Sequence, residues 1–281
     1  MASLLKGASF LKAIQTQVSS FVAPLPEKPH LAIILVGENP ASHLYVDKKK
    51  EAAAKAGCLS TVHRFPETAS QGEIENTILE LNATSTVHGI LVQLPLPRGF
   101  DRQAVLDLVD PVKDVDGLTT LNAGRLYTGK PFLIPCTPLG CLYLIKQWRE
   151  DLRGLQALVL GQSTLVGKPL DFLLLQEKCT VIMAHKSTRN LPALAAASDI
   201  VVAAAGAPRL VQKTWIKPGA CVIDVGIHLD GKKVYGDVDF DAVREVAGAI
   251  TPVPGGVGPT TIGFLLHNLV LAYKKQKGIS S

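Results

Sequence analysis

Long apolar runs are missing from this chain. No window approaches the roughly 18 consecutive apolar residues of a membrane span, which argues against a membrane partner. The stretch 1–22 also has no apolar run of signal-peptide length before a cleavage site. Charge of one sign is scarce. Lys and Arg number 29 against 24 Asp and Glu, a formal +5. That balance suits anionic small molecules and falls short of a nucleic-acid footprint. Part of the excess lies in the terminal Lys274-Lys275-Gln276-Lys277. The five cysteines (Cys58, Cys136, Cys141, Cys179, Cys221) are odd in number and show no zinc-type spacing. They read as structural thiols of a reducing cytoplasm, with no metal site. Internal repeats and low-complexity linkers are absent too. The expectation is a cytoplasmic protein with no nucleic-acid or membrane partner.

What is present is an ordinary core. In 281 residues, 47% are hydrophobic and 19% charged, enough for one large or two medium domains. Short apolar runs alternate with helical patterns, the mark of an α/β fold with mostly parallel strands. An amphipathic helix over 1–22 would carry Phe10, Ile14, Val18 and Phe21 on one face. The first half then predicts strands at 31–36, 61–65 and 89–94, with helices at 42–57 and 71–83. Residues 111–138 are rich in turn formers and read as a boundary loop. A helix over 138–148 leads into a second half with strands at 157–161, 179–184, 200–204 and 221–225, and helices at 166–176 and 190–197. A last helix spans 260–275. Before it, Thr251-Pro-Val-Pro-Gly-Gly-Val-Gly-Pro-Thr-Thr261 packs three prolines and three glycines between Pro252 and Pro259. Such a mixture predicts neither helix nor strand. It prescribes a rigid, irregular path with bare amides suited to ligand approach.

The second half carries a nucleotide signature. The strand ending at Gly161 runs through Gln162, Ser163, Val166 and Gly167 into an apolar helix. Gly161 permits the tight turn, Gly167 permits close helix packing, and the helix N-terminus offers amides to a pyrophosphate. The spacing departs from G-x-G-x-x-G, with Ser163 at the middle glycine. NAD-binding folds place an acidic residue about 20 positions on. Here the next strand ends in His185-Lys186-Ser187-Thr188-Arg189, with no carboxylate. Two cations and two hydroxyls favour a 2′-phosphate, hence NADP over NAD.

Three features of the first half lie near strand ends or helix starts. Tyr45 and Lys49, four apart, share one helix face. Gln93 closes a buried strand. Lys113-Asp-Val-Asp116-Gly117 forms an acidic turn. Taken singly, Lys49 belongs to a solvated charge run with Lys48 and Lys50, Gln93 is a polar group satisfying backbone, and the acidic stretch is an Asx-turn.

Taken in order, Tyr45-x-x-x-Lys49, Gln93-Leu-Pro-Leu-Pro97, Lys113-Asp-Val-Asp-Gly117, Gly161-x-Ser163-x-x-Val166-Gly167-x-Pro169 and Pro252-Val-Pro-Gly-Gly-Val-Gly-Pro259 resemble the bifunctional methylenetetrahydrofolate dehydrogenase/cyclohydrolases of the FolD type. The resemblance spans essentially the whole chain. It implies two α/β domains with a cleft between them: a folate-binding catalytic domain over 1–137, completed by the C-terminal helix 260–281, and a Rossmann-type NADP domain over 138–259. It implies NADP-dependent oxidation of 5,10-methylenetetrahydrofolate, hydrolysis of the methenyl product to 10-formyltetrahydrofolate, a role in one-carbon metabolism and purine biosynthesis, and a homodimer. Lys49 matches the catalytic lysine, with Gln93 as its hydrogen-bond partner. Tyr45 matches the tyrosine packed on the folate rings, and Asp116 the aspartate that accepts from the pterin. Pro254, Gly255 and Gly256 would line the substrate site, and Ile227 joins the cofactor-binding set. Two positions depart from the family. Gln162 stands where a basic residue often helps hold the 2′-phosphate, which shifts that task to Lys186 or Arg189. Thr260 replaces a methionine and suits an N-cap of the last helix. Two other readings stand beside this one: a shikimate-dehydrogenase-like NADP oxidoreductase, and a non-catalytic dinucleotide-sensing module.

Overall fold

A computed structural model describes residues 1–231 and 233–280. The chain divides into two compact units, Met1–Leu11 with Thr137–Thr261, and Lys12–Cys136 with Ile262–Ser281; Ser281 itself lies outside the described residues. The start of the chain corrects the expected domain limits. Its first strand, β1 (Ser3–Leu4), pairs in parallel with Ala249–Ile250, and the Gly7 amide donates to Gly255 O at 2.9 Å. Met1–Leu11 therefore groups with the nucleotide signature, not with the residues that follow it. The predicted N-terminal helix starts later, as α1 (Ala8–Val22).

In the unit that carries Lys49, the first strand β2 (His30–Val36) lies between β3 (Leu59–Phe65) and β4 (Gly89–Val92), all parallel. The run His30-Leu-Ala-Ile-Ile-Leu-Val36 has no polar alternation because both faces are covered. Ala32, Ile34 and Val36 pack with Ile74 and Ile78, so one face is sealed by the helix of Gln71–Ala83. Between β2 and β3 runs α2 (Pro40–Lys55). It starts at Asn39, whose side chain accepts from the Ser42 amide at 3.1 Å, with Pro40 in the first turn. Between β3 and β4 runs α3 (Gln71–Ala83), closed at its start by a reciprocal Ser70/Glu73 capping box. Because β3 and β4 flank β2 on opposite sides, the connections after β2 and β4 part at the C-terminal edge. Ligands of α/β sheets gather in such a crevice.

The expected boundary loop contains more helix than its composition suggests. Within it lies the short helix α5 (Thr120–Tyr127), and just before it α4 (Arg102–Asp107); they begin at Thr119 and Asp101, each capping its first turn through a side-chain oxygen. Helix α6 (Cys136–Trp148) follows.

The other unit is built on β5 (Gln156–Leu160), α7 (Gly167–Gln176), β6 (Thr180–Ala184), α8 (Leu191–Ala196), β7 (Ile200–Ala203) and β8 (Cys221–Asp224). A hairpin of β9 (His228–Asp230) and β10 (Lys233–Tyr235), a single turn α9 (Phe240–Val243), and β11 (Ala249–Ile250) complete it. The sheet order is β1-β11-β8-β7-β5-β6, every pair parallel. Ala157 and Val159 point to one core, Leu158 and Leu160 to the other, the two-residue period of a strand buried on both faces. Helices α6 and α7 cover the first face, and α8 the second.

The last helix, α10 (Val257–Gln276), starts inside the Pro/Gly stretch. Pro259 falls in its first turn, where the missing amide has no intrahelical partner to lose. The irregular path is thus shorter than expected. It comprises Pro252 to Gly256, with a cis Val253–Pro254 bond and Gly255 at φ +109°. Thr260 consequently does not cap the helix. It lies inside it, fully buried, and its hydroxyl donates to Val257 O at 2.8 Å.

Candidate active site and nucleotide site

Lys49 is set by the periodicity of α2. The buried positions of that helix are Ser42, Val46, Lys49, Ala52 and Ala53, one continuous stripe. Lys48 is exposed, but Lys49 keeps only 7% of its surface. Its amine donates to Gln93 Oε1 at 2.9 Å, and Gln93 Nε2 donates to Leu94 O at 2.8 Å. The amide is therefore fixed with its oxygen toward the lysine. Burial pulls the Lys49 pKa below the ordinary lysine value, and Asp116 and Cys136 oppose that shift. Tyr45, one turn back on the same face, is half-buried, and burial raises its phenol pKa. Lys49, Gln93 and Asp116 come together; Tyr45 shares the helix face of Lys49.

The acidic turn is more than an Asx-turn. Lys113 is buried and donates to the carbonyls of Leu81, Asn82 and Thr84 at 2.8–3.1 Å, closing the C-terminus of α3. Asp114 accepts from the amides of Leu118 and Thr119 and from Asn122 Nδ2. Gly117 has φ +69°, and a Cβ there would sit 2.6 Å from the Ile134 carbonyl carbon. These contacts leave Asp116 half-buried beside Lys49 and Cys136.

Two residues of this site had no sequence signal assigned to chemistry. Cys136 is buried and donates its thiol to Val115 O at 3.3 Å. Burial pushes its pKa well up, so it is a thiol and not a thiolate. Asn268 of α10 donates to Val115 O and Ile134 O, both at 2.9 Å, fixing the backbone on either side of the turn. A lone asparagine among Leu265, Leu266 and Leu269 was the available hint.

In the other unit, β6 and β7 lie on opposite sides of β5, so the switch point of the sheet falls beside Gly161. Gly161 has φ +129°, and any Cβ there would meet the Ala204 carbonyl at the end of β7. A Cβ on Gly167 would meet Gly161 O and lie 3.2 Å from Gln162 Cα. Both glycines are thus obligatory, and they bring the start of α7 close to the strand end. Ser163 Oγ accepts from the Val166 amide at 3.1 Å, which shapes the turn. Gln162 and Ser163 are exposed at this edge. After β6, Thr188 Oγ1 accepts from the His185 amide and the Thr188 amide donates to His185 O, a tight turn that carries Lys186, Ser187 and Arg189 on the surface. Ile227 is exposed after β8. In the Pro/Gly loop, Pro254 is exposed and Gly255 partly so, whereas Gly256 is buried, 2.7 Å from the Thr251 Cβ if it carried a side chain. The described residues hold no cluster of metal-ligating side chains and no helix long and apolar enough to cross a membrane. All five cysteines are buried and free.

Fold and site together define a two-unit α/β enzyme: a glycine-walled dinucleotide site in one unit and a buried lysine set against an aspartate in the other. Residues 135–277 match the model of the tetrahydrofolate dehydrogenase/cyclohydrolase NAD(P)-binding domain, and residues 5–116 match that of its catalytic domain. Bifunctional protein FolD 2 of Paracoccus denitrificans is 49% identical over 285 residues, covering 99% of this chain and 94% of the relative. The crystal structure of FolD from Campylobacter jejuni superposes with a TM-score of 0.94 at 39% identity, covering 98% of this chain and 99% of that one. The Trypanosoma brucei FolD, solved with NADP cofactor and inhibitor, gives 0.94 at 38% identity, covering 98% of each chain. The chain belongs to the tetrahydrofolate dehydrogenase/cyclohydrolase family. It is a bifunctional enzyme of that family, a dehydrogenase and a cyclohydrolase.

Proposed function

We propose that the protein oxidises 5,10-methylenetetrahydrofolate with NADP⁺ and hydrolyses the methenyl product to 10-formyltetrahydrofolate, with Lys49 as the catalytic group of the hydrolysis. The observation that carries this is the 2.9 Å hydrogen bond from the buried Lys49 amine to Gln93 Oε1. NADP⁺, when bound, supplies the hydride acceptor, and loss of hydride leaves a delocalised N–C–N cation that needs no obligatory base. Hydrolysis then adds water to the cationic carbon. One water proton passes to Lys49 Nζ and on to the ring nitrogen as its C–N bond breaks, and the other leaves to solvent as the formyl C=O forms. A desolvated amine with a lowered pKa suits that exchange, and a cationic substrate nearby disfavours the ammonium form further. Gln93 orients the amine, Asp116 accepts from the pterin edge, and Tyr45 stacks on the rings. On the cofactor side, Gly161 and Gly167, where a Cβ would meet backbone carbonyls, let the start of α7 approach the strand end and offer its amides to a pyrophosphate. Lys186 and Arg189, exposed on the turn after β6, are the cations for a 2′-phosphate, supported by Ser187. Pro254, Gly255 and Gly256 complete the substrate side of the reading. A homodimer in the cytoplasm follows from the family resemblance, with residues 137–261, joined by 1–11, as the NADP unit.

The experiment is Lys49→Ala, followed by methenyltetrahydrofolate absorbance. Cyclohydrolase activity should fall by roughly 10²-fold or more while NADP⁺ binding is kept. Hydrolysis at the parent rate would remove Lys49 from the mechanism.

A further inference from the structure

The nucleotide-binding unit contains a buried polar cluster that the reading above leaves unused. Asp224 ends β8 and Asp237 lies between β10 and α9; both are buried. Asp237 Oδ2 accepts from the amides of Ala205 and Gly206, at 2.7 and 2.8 Å. Its Oδ1 lies 2.7 Å from His228 Nε2, which carries the proton, since a carboxylate oxygen can only accept. Asp224 Oδ1 accepts from the amides of Gly226 and Asp237, and its Oδ2 from that of Val238, all at 2.9–3.0 Å. The Asp224 amide donates to Thr251 Oγ1 at 2.7 Å. Packing is tight: a Cβ on Gly226 would lie 2.5 Å from Asp237 Cγ, and one on Gly236 would run into the Asp224 carboxyl.

Two carboxylates buried side by side are costly, and burial pushes the Asp224 pKa up to about 6. Their hydrogen bonds all have one consequence. They fix the backbone at 205–206 after β7 and at 226–228 after β8, and tie Asp237 and Val238 to the end of β8. The first two are connections at the C-terminal edge, where α/β sheets take ligands. Ile227 stands between Gly226 and His228, both tied to the cluster, and remains 43% exposed. An apolar side chain held out on a pinned backbone is preorganised to be covered by a flat ligand.

We infer that Asp224, Asp237 and His228 are positioning residues that hold Ile227 and the Ala205–Gly206 backbone as a preformed wall for the nicotinamide end of the dinucleotide. The inference rests on the NADP reading and deepens it. His228 is the informative position, since its single bond to Asp237 can be removed without emptying the acid pair. His228→Leu should weaken NADP⁺ binding about tenfold by calorimetry, the loss of one charge-assisted hydrogen bond. It should also speed amide hydrogen exchange at Ala205 and Gly206, and leave hydrolysis of supplied methenyltetrahydrofolate within about twofold, since that step uses no dinucleotide. His228→Gln, which can still donate to Asp237, should recover most of the binding. An unchanged NADP⁺ affinity in His228→Leu, or an equal fall in both activities, overturns the inference. Failure of the parent protein to bind NADP⁺ would overturn the functional reading itself, and the inference with it.

Discussion

Asp171 is the least compensated charge in the described structure. It lies on the inner face of α7 beside Leu170 and Leu174, keeps 5% of its surface, and neither carboxyl oxygen has a hydrogen-bond partner. Desolvation alone raises its pKa from 3.8 to about 7. A raised acid pKa means the folded state holds the proton more tightly than the unfolded chain. Stability is therefore fully present below about pH 4 and is lost as the pH rises through about 7. At about 1.4 kcal/mol per unit, the full loss is about 4 kcal/mol at pH 8 and above, a large share of a domain's stability. Asp171→Asn removes the titration and keeps the shape. It should match the parent to within about 1 kcal/mol at pH 4 and exceed it by up to about 4 kcal/mol at pH 8. Urea unfolding by tryptophan fluorescence measures this cleanly, because Trp148 and Trp215 both belong to the unit that contains α7. If the difference between variant and parent is flat from pH 4 to pH 8, the carboxyl is not the isolated buried group described, and the reasoning fails.

Two further perturbations test separate parts of the site. Lys186→Ala should weaken NADP⁺ by about tenfold and NAD⁺ much less, the signature of one lost cation at a 2′-phosphate; titration of both dinucleotides checks it, and equal effects would move the phosphate contact elsewhere. Lys113→Met keeps the apolar stem but removes the donor to three carbonyls at the end of α3. It should destabilise the unit that carries Lys49 by about 2–3 kcal/mol, measurable by far-UV circular dichroism in urea. A neutral result there would mean that water replaces the ammonium without loss.

Most of the sheet core was legible because its strands are short apolar runs, and both sheets are parallel and covered on two faces. The short elements were not. Helices α4 and α5 have six and eight residues, too few turns for a 3.6-residue period to rise above a polar background. Their capping residues, Asp101 and Thr119, were the readable signals. Strand β1 has two residues, and its partner lies some 246 positions away by register, Ser3 against Ala249. Nothing local encodes such a pairing, so the sequence pattern alone groups the first eleven residues with those that follow them, not with Thr137–Thr261. Thr260 departs from its expected place for a different reason. A proline reads as the end of an irregular path, yet Pro259 fits the first turn of α10 and lets the helix begin at Val257.

The site divides along the same line. Lys49 was recoverable from the stripe Val46, Lys49, Ala53, which sets it apart from Lys48, but its partner Gln93 is 44 residues away and its environment is tertiary. The acidic turn, 113–117, divides its labour among its own residues. Of its five residues, Lys113 closes α3, Asp114 anchors the start of α5, Val115 supplies the carbonyl that Cys136 and Asn268 bond, and Gly117 occupies a space and a φ that exclude a side chain. Four residues thus fix the backbone from three directions, so that the fifth, Asp116, meets Lys49 without rearrangement. The electrostatic task is then a balance between two opposed effects on one amine: burial lowers its proton affinity, and Asp116 restores part of it. Burial and Asp116 thus set the proton affinity of this one amine from opposite sides, a control that a solvated lysine in the same helix lacks.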